Sequence, residues 1–190
     1  RDLQLSFFKA NVPHLDTPQD HAFFASMYNY CNKHNIKSIL NGGNFSTESI
    51  REPLIWHYHA SDAYHLKHIQ KLFGTKKLTS FPISDIFTYK IYYSLLKNIK
   101  VYQLLNYQNY KKSEAIKFLK KEYSWTEYSH KHYESRFTKF YEGYWLIKKF
   151  GFDKRKAHYS SLILSNQMSR DEALERLRRD PIDEAEVPKD

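Results

Sequence analysis

The run Ile36-Lys37-Ser38-Ile39-Leu40, ending at Asn41-Gly42-Gly43-Asn44, constrains the fold of this chain more than any other feature. A short β-prone run stops at the only glycine pair in the sequence, where the backbone turns without a Cβ penalty. Upstream, Thr17-Pro18-Gln19-Asp20 reads as a helix start. Thr offers a capping oxygen, Pro suits the first helical position, and Asp favours the positive end of the helix dipole. A helix from about Pro18 to Lys33, then a strand, then a glycine turn implies α/β architecture.

Beyond Ile50 the pattern becomes mainly helical. Helix starts are predicted at Ser61-Asp62 and Ser84-Asp85, with a short extended piece at Lys77-Leu78-Thr79-Ser80-Phe81 before Pro82. Tyr89, Tyr92, Tyr93 and Leu96 recur as the packing face of a helix would. Phe137 to Phe150 carries aromatic and apolar residues on helical spacing and stops at Gly151, a residue suited to the left-handed C-terminal position. Ser169-Arg170-Asp171-Glu172 is a capping box for a last helix through about Arg178, after which Pro181 and an acidic tail imply fraying. The first residues, Arg1 to Lys9, show a helical apolar rhythm rather than an export signal, so the chain reads as beginning within an element.

No stretch approaches the ~20 consecutive apolar residues that a spanning helix needs. The one cysteine, Cys31, excludes an internal disulfide and points to a reducing, cytoplasmic compartment. The net charge of +9 is uneven: residues 171–190 carry −4 and the rest +13. Between Lys67 and Lys121 twelve lysines face only Asp85 and Glu114. Such a body prefers anionic partners: a phosphorylated ligand, nucleic acid or an anionic membrane surface.

Two stretches resemble the N-acetyl sugar amidotransferases, members of the PP-loop ATP-pyrophosphatase group. One is Asn41-Gly42-Gly43-Asn44-Phe45-Ser46-Thr47-Glu48-Ser49-Ile50. The other runs from Lys131-His132-Tyr133-Glu134-Ser135-Arg136-Phe137-Thr138 through Lys149 to His158 and on to Ser160-Ser161. Lys77 to Pro82, Leu104 to Tyr107 and Arg170 to Leu174 are similar too, so the likeness covers nearly the whole chain. The family's phosphate-holding Ser-Gly-Gly-x-Asp-Ser loop occurs nowhere in it. The resemblance therefore implies the downstream part of a longer protein. It implies a partial adenine-nucleotide-hydrolase-like (PP-loop) α/β domain, with residues 1–50 its remnant and 51–190 a mainly helical acceptor region.

The implied reaction turns the N-acetyl group of a nucleotide-linked sugar into an acetamidino group, with ATP and Mg²⁺, in bacterial surface-polysaccharide synthesis. Ammonia is expected from a separate glutaminase subunit, because Cys31 has no glutaminase-like motif around it. On the resemblance, Glu48 becomes a Mg²⁺ ligand or orienting group, with Asn44 and Thr47 as polar contacts. The alternative there is a capped turn in which Ser46 or Thr47 starts the next helix. Lys131 and Arg136 are candidates for holding phosphate or sugar-nucleotide oxygens, and His132 or Glu134 for managing a proton on incoming ammonia. An interhelix salt-bridge network is the alternative for that cluster. Lys154, Arg155 and His158 read either as a pyrophosphate clamp or as a solvated basic face. His57, His59, His65 and His68 match no familiar metal-ligand spacing.

Two other classes compete. A basic body with sixteen tyrosines and thirteen phenylalanines is compatible with nucleic-acid binding, but no binding signature is present and the aromatics follow helical packing. A non-catalytic scaffold, held at a membrane surface by residues 86–107, is the other.

Overall fold

The computed structural model describes residues 1–56, 58–128 and 131–182. The chain forms two compact units. Residues 1–41 and 53–102 make the first; residues 42–52 and 103–190 make the second. The division therefore differs from a boundary near residue 50. The segment after the first strand belongs with the C-terminal helices, because its backbone groups find their hydrogen-bond partners there.

In the first unit, α1 (Asp2–Ala10) ends at Asn11 in the left-handed conformation and packs against α4 (Ala63–Phe73). Leu3, Phe7, Leu15, Leu66 and Ile69 are buried. The Asp2 carboxylate accepts hydrogen bonds from the Thr75 hydroxyl and amide, the Lys76 amide and the Gln70 side chain. The Thr75 and Gln70 side chains hold its pKa well below the ordinary carboxylate range. α4 starts as expected, with Asp62 accepting from the His65 amide.

Helix α2 (Thr17–Lys33) carries Pro18 in its first turn, but Thr17 does not cap it. Thr17 lies inside the helix and is buried, and Asp16 occupies the cap position without capping an amide of the first turn through its side chain. His21 on α2 uses both ring nitrogens. Nδ1–H donates to the Ala60 carbonyl at 2.6 Å and Nε2 accepts from the Ser84 amide at 3.2 Å. Burial lowers its pKa and keeps that tautomer neutral.

Strand β1 (Ser38–Asn41) falls where the sequence places it, and pairs with β2 (Lys100–Gln103) in a two-stranded sheet. Residues 77–81 form no strand. Cys31, Ile39, Tyr93 and Ile99 close a core with Met27, Tyr28 and Tyr89 packed against it. The helix after Asp85 adopts π geometry over Thr88–Leu96. Bonding from i to i+5 widens the turn. Tyr93 is consequently buried, whereas Leu96 is 71% exposed, not on the packing face its spacing implied.

In the second unit, α3 (Phe45–Glu48) follows the glycine turn, and α5 (Lys112–Tyr123) follows a 3-10 turn at Leu104–Tyr107. The helical run after Ser135 is continuous but mixed. α6 (Arg136–Phe140) passes through a π turn at Tyr141–Trp145 into α7 (Leu146–Phe150), and Gly151 closes it at φ 70°. α8 (Arg155–Leu164) and α9 (Arg170–Arg178) share a core of Tyr159, Leu162 and Ala173. Ser169 caps α9 by accepting from the Glu172 amide. Pro181 and Ile182 are buried, and the acidic tail for which fraying is expected, residues 183–190, lies outside the described residues.

Ile182 returns to the π turn. A Cβ added at Gly143 would stand 2.6 Å from the Tyr133 hydroxyl and 3.4 Å from the Ile182 Cβ. G143A is expected to destabilise the protein by about 1–3 kcal/mol in urea denaturation, the range for overpacking. Adding Y133F, which removes the clashing oxygen, recovers part of that loss; no recovery would assign the cost to the π turn itself.

Candidate functional site

The site is built where the segment after β1 meets α8. Asn44 is extended (φ −152°, ψ 155°) and caps α3. Its Oδ1 accepts from the Thr47 amide at 3.0 Å and the Thr47 hydroxyl at 3.2 Å. Both side chains are buried, so they shape the turn that carries Glu48 rather than reach outward. The cap is Asn44 itself, not Ser46 or Thr47.

Three polar residues on one side of α8 and its C-cap, at positions 158, 161 and 165, hold this short helix. The His158 Nδ1–H donates to the Thr47 carbonyl at 3.2 Å and the Ser165 hydroxyl to the Ser46 carbonyl at 2.7 Å. The Ile50 amide donates to the Ser161 hydroxyl at 3.0 Å. A spacing of three and four places these groups on one side of a helix. The two stretches that carry the family resemblance thus come together. At the start of α3, the Asn106 side chain accepts the Phe45 amide at 2.8 Å.

Around this frame stand Glu48, Lys131, Lys112 and His158. Lys131 and Glu48 form an ion pair at 2.6 Å. The second imidazole nitrogen of His158 faces the Lys112 ammonium at 3.5 Å. With Nδ1–H committed to a carbonyl, Nε2 carries the lone pair. Burial above all, and then the positive fields of Lys112 and Lys131, push the His158 pKa down to about 4. Burial, and then Lys131, lowers Lys112 as well. Gln167 fixes the first turn of α5 by accepting the Lys112 amide at 2.7 Å, and donates to the Tyr110 carbonyl at 3.3 Å. Burial raises the Tyr110 phenol, and Glu48 adds to the shift. Lys112, Tyr110, Asn106 and Gln167 were not singled out from the sequence. Lys112 was one of twelve lysines in a basic run, and nothing local distinguishes it.

The remaining expected residues have other surroundings. His132 adopts a left-handed backbone (φ 65°), with Nδ1 3.8 Å from a Glu134 carboxylate oxygen; both side chains are about half exposed. Arg136 opens α6, is exposed, and makes no ion pair among the described residues. Lys154 lies between Glu52 at 3.3 Å and Glu142 at 3.1 Å, with the Tyr141 ring 5.5 Å away. Arg155 grips Asp153 through two nitrogens and donates to the Arg176 and Arg179 carbonyls. Lys154 and Arg155 are therefore neutralised by carboxylates of the fold, and only His158 of that trio joins the cluster. His57 lies outside the described residues. Among the described residues no group of three or more His, Cys, Asp or Glu is placed to hold a metal ion, and no helix is long and apolar enough to cross a membrane.

Residues 134–190 match a family model described as "LPS biosynthesis protein WbpG-like, C-terminal domain". The matched segment begins just after Lys131 and includes α6 to α9, with the His158, Ser161 and Ser165 stripe. No curated protein and no solved structure matches the chain.

Two outcomes follow from the site's electrostatics. His158 has a folded-state pKa below its ordinary 6.5, so the unfolded chain binds the proton first. Stability is then complete above pH 6.5 and falls as pH drops towards 4, by up to about 3 kcal/mol. H158N, which keeps a donor for Thr47, is expected to flatten that acid-side loss in urea titrations at several pH values; an unchanged slope would refute the assignment. K154M strands Glu52 and Glu142 in a largely buried place, and is expected to cost about 2–4 kcal/mol by the same measurement, with part regained on adding E142Q.

Proposed function

We propose, from the match of residues 134–190 to the model described as LPS biosynthesis protein WbpG-like, C-terminal domain, that this chain is the C-terminal part of an ATP-dependent N-acetyl sugar amidotransferase. The reaction exchanges the carbonyl oxygen of a sugar N-acetyl group for ammonia's nitrogen, giving an acetamidino group, in the cytoplasm. One observation supports this reading most. The segments 41–50 and 131–161, distant in sequence, form one cluster in which Glu48, Lys131, Lys112 and His158 converge.

ATP supplies the activation, since an amide oxygen is a poor leaving group and departs here with AMP while pyrophosphate is released. The residues present fit an anionic ligand. The Lys131 ammonium is paired with the Glu48 carboxylate, the Lys112 ammonium meets His158, and that imidazole is neutral and able to accept a proton. Glu48 fits the carboxylate that a phosphate-bound Mg²⁺ takes from a protein, because Mg²⁺ on nucleotides usually keeps only one or two. It is otherwise neutralised by Lys131. Before the ligand binds, Lys131 holds Glu48 in place, and its charge lowers the cost of bringing phosphate near that carboxylate. Asn44 and Thr47 fix the turn. Arg136, exposed and without an ion pair among the described residues, serves the nucleotide-linked sugar. His132 and Glu134, solvent-facing and within 3.8 Å of each other, take the proton that ammonia loses. A glutaminase partner supplies the ammonia.

The test uses the protein as its native cell makes it. Its intact mass is expected to exceed the 22.9 kDa of this chain, with Ser-Gly-Gly-x-Asp-Ser upstream. With ATP, Mg²⁺, ammonia and a nucleotide-linked N-acetyl sugar it should yield AMP, pyrophosphate and a product in which NH replaces one oxygen by mass spectrometry. K131A is expected to lower kcat/KM at least about tenfold. Sugar- and ammonia-dependent pyrophosphate release by the isolated 190-residue chain would overturn the reading.

A further inference from the structure

Lys112 is the anomaly of the second unit. Its ammonium is partly withdrawn from water, yet among the described residues it has no carboxylate partner and its hydrogen-bond partner is a neutral imidazole nitrogen at a long 3.5 Å. An ammonium has three N–H donors, so two remain available. The nearest charges do not balance it. Glu48 is paired with Lys131 at 2.6 Å, and Glu127 with Lys120 at 2.7 Å. Of the charges that act on Lys112, Lys131 and Arg176 are positive and Glu127 alone is negative. Lys112, Lys131 and Glu48 together carry one excess positive charge in a partly desolvated place. A half-buried like-charge pair opposes folding unless something negative enters between its members. Surroundings of this sign exclude a free cation as the ligand. Donors from two separate elements, the start of α5 and the segment before α6, suit a group with several acceptor oxygens.

We propose that Lys112 and Lys131 form a binding site for a phosphoanhydride, the pyrophosphate group of a small molecule, with Lys131 leaving Glu48 to join it and His158 lining the site. The proposal rests on the nucleotide-using reading above for its choice of ligand, and adds Lys112 as a binding residue that the sequence did not mark. His158 sets the position of Lys112: protonated, it would repel the ammonium, so its burial and its bond to Thr47 keep it an acceptor.

The probe is inorganic pyrophosphate, titrated into the 190-residue chain by calorimetry at pH 7 and moderate salt. K112M and K131M are each expected to weaken binding about tenfold or more. K121M removes the same charge from the same helix at a side chain 83% exposed, and should change it less than about twofold. Thermal melts establish that each variant is folded. In wild-type protein, saturating pyrophosphate should also raise the His158 titration by at least about one pH unit in the NMR signal of its ring, because the anion cancels the fields of Lys112 and Lys131. Equal losses for K121M and K112M, an unmoved His158 titration, or no binding of pyrophosphate would overturn the proposal. Tighter binding of a generic oligonucleotide with the same Lys112 dependence would overturn it in favour of a nucleic-acid surface. Binding that passes these tests in a protein with no amidotransferase turnover leaves the site standing and removes only the reaction; turnover without Lys112-dependent binding does the reverse.

Discussion

The hydrogen bonds from α8 to the segment around α3 are the constraint on which the second unit rests. A helix of four residues cannot sustain itself, since nucleation fixes several dihedrals for a single bond. α3 exists because His158 and Ser165 take two of its carbonyls and Ser161 takes the amide of Ile50. Each buried backbone group left unpaired would cost about 1–3 kcal/mol. These contacts join residues 111 to 119 positions apart, and so draw the turn after β1 into the C-terminal body. Glu48 sits beside Lys131 as a consequence. The placement of Glu48 depends on that polar stripe, and His158 belongs to it.

Features written in local chemistry were legible in the sequence. Asp62 and Ser169 accept amides three residues on, and Gly151 takes the left-handed conformation that ends α7, as the residue types imply. The strand before the glycine pair also falls where its composition puts it. What was not legible depends on distant partners. β2 is four residues long and has no exposed-buried alternation, all of its residues being exposed, so only its pairing with β1 identifies it. The π register in Thr88–Leu96 moves Leu96 off the face that a 3.6-residue period assigns to it. Ile182 is buried through the surface that Gly143 and Tyr133 offer, which no reading of an acidic tail contains.

The candidate site divides along the same line. The resemblance brought forward Asn44, Thr47, Glu48, Lys131 and His158, which the structure gathers together. It brought forward Lys154 and Arg155 on equal terms, although their charges are committed to Glu52, Glu142 and Asp153. Residue type and spacing cannot separate a lysine that faces a ligand from one that closes an ion network. The difference lies in which carboxylates the fold brings to it.

That difference can be argued further, because the second unit contains both cases. Lys154 is four-fifths shielded, and two carboxylates meet it within 3.3 Å, more negative charge than one ammonium requires. Arg155 is likewise met by a carboxylate and two carbonyls. At Lys154 and Arg155 the fold supplies largely shielded cations with anions. At Lys112 it supplies an imidazole instead and holds it neutral by burial. A carboxylate in place of His158 would remove the charge imbalance and satisfy Lys112 outright, at the expense of any affinity for an external anion. The imidazole orients the ammonium without neutralising it. Positive charge kept in position but not compensated is the electrostatic condition of a preorganised anion site, since at Lys112 no carboxylate has to be displaced before the ligand is bound, and only Lys131 has to give up its pair with Glu48.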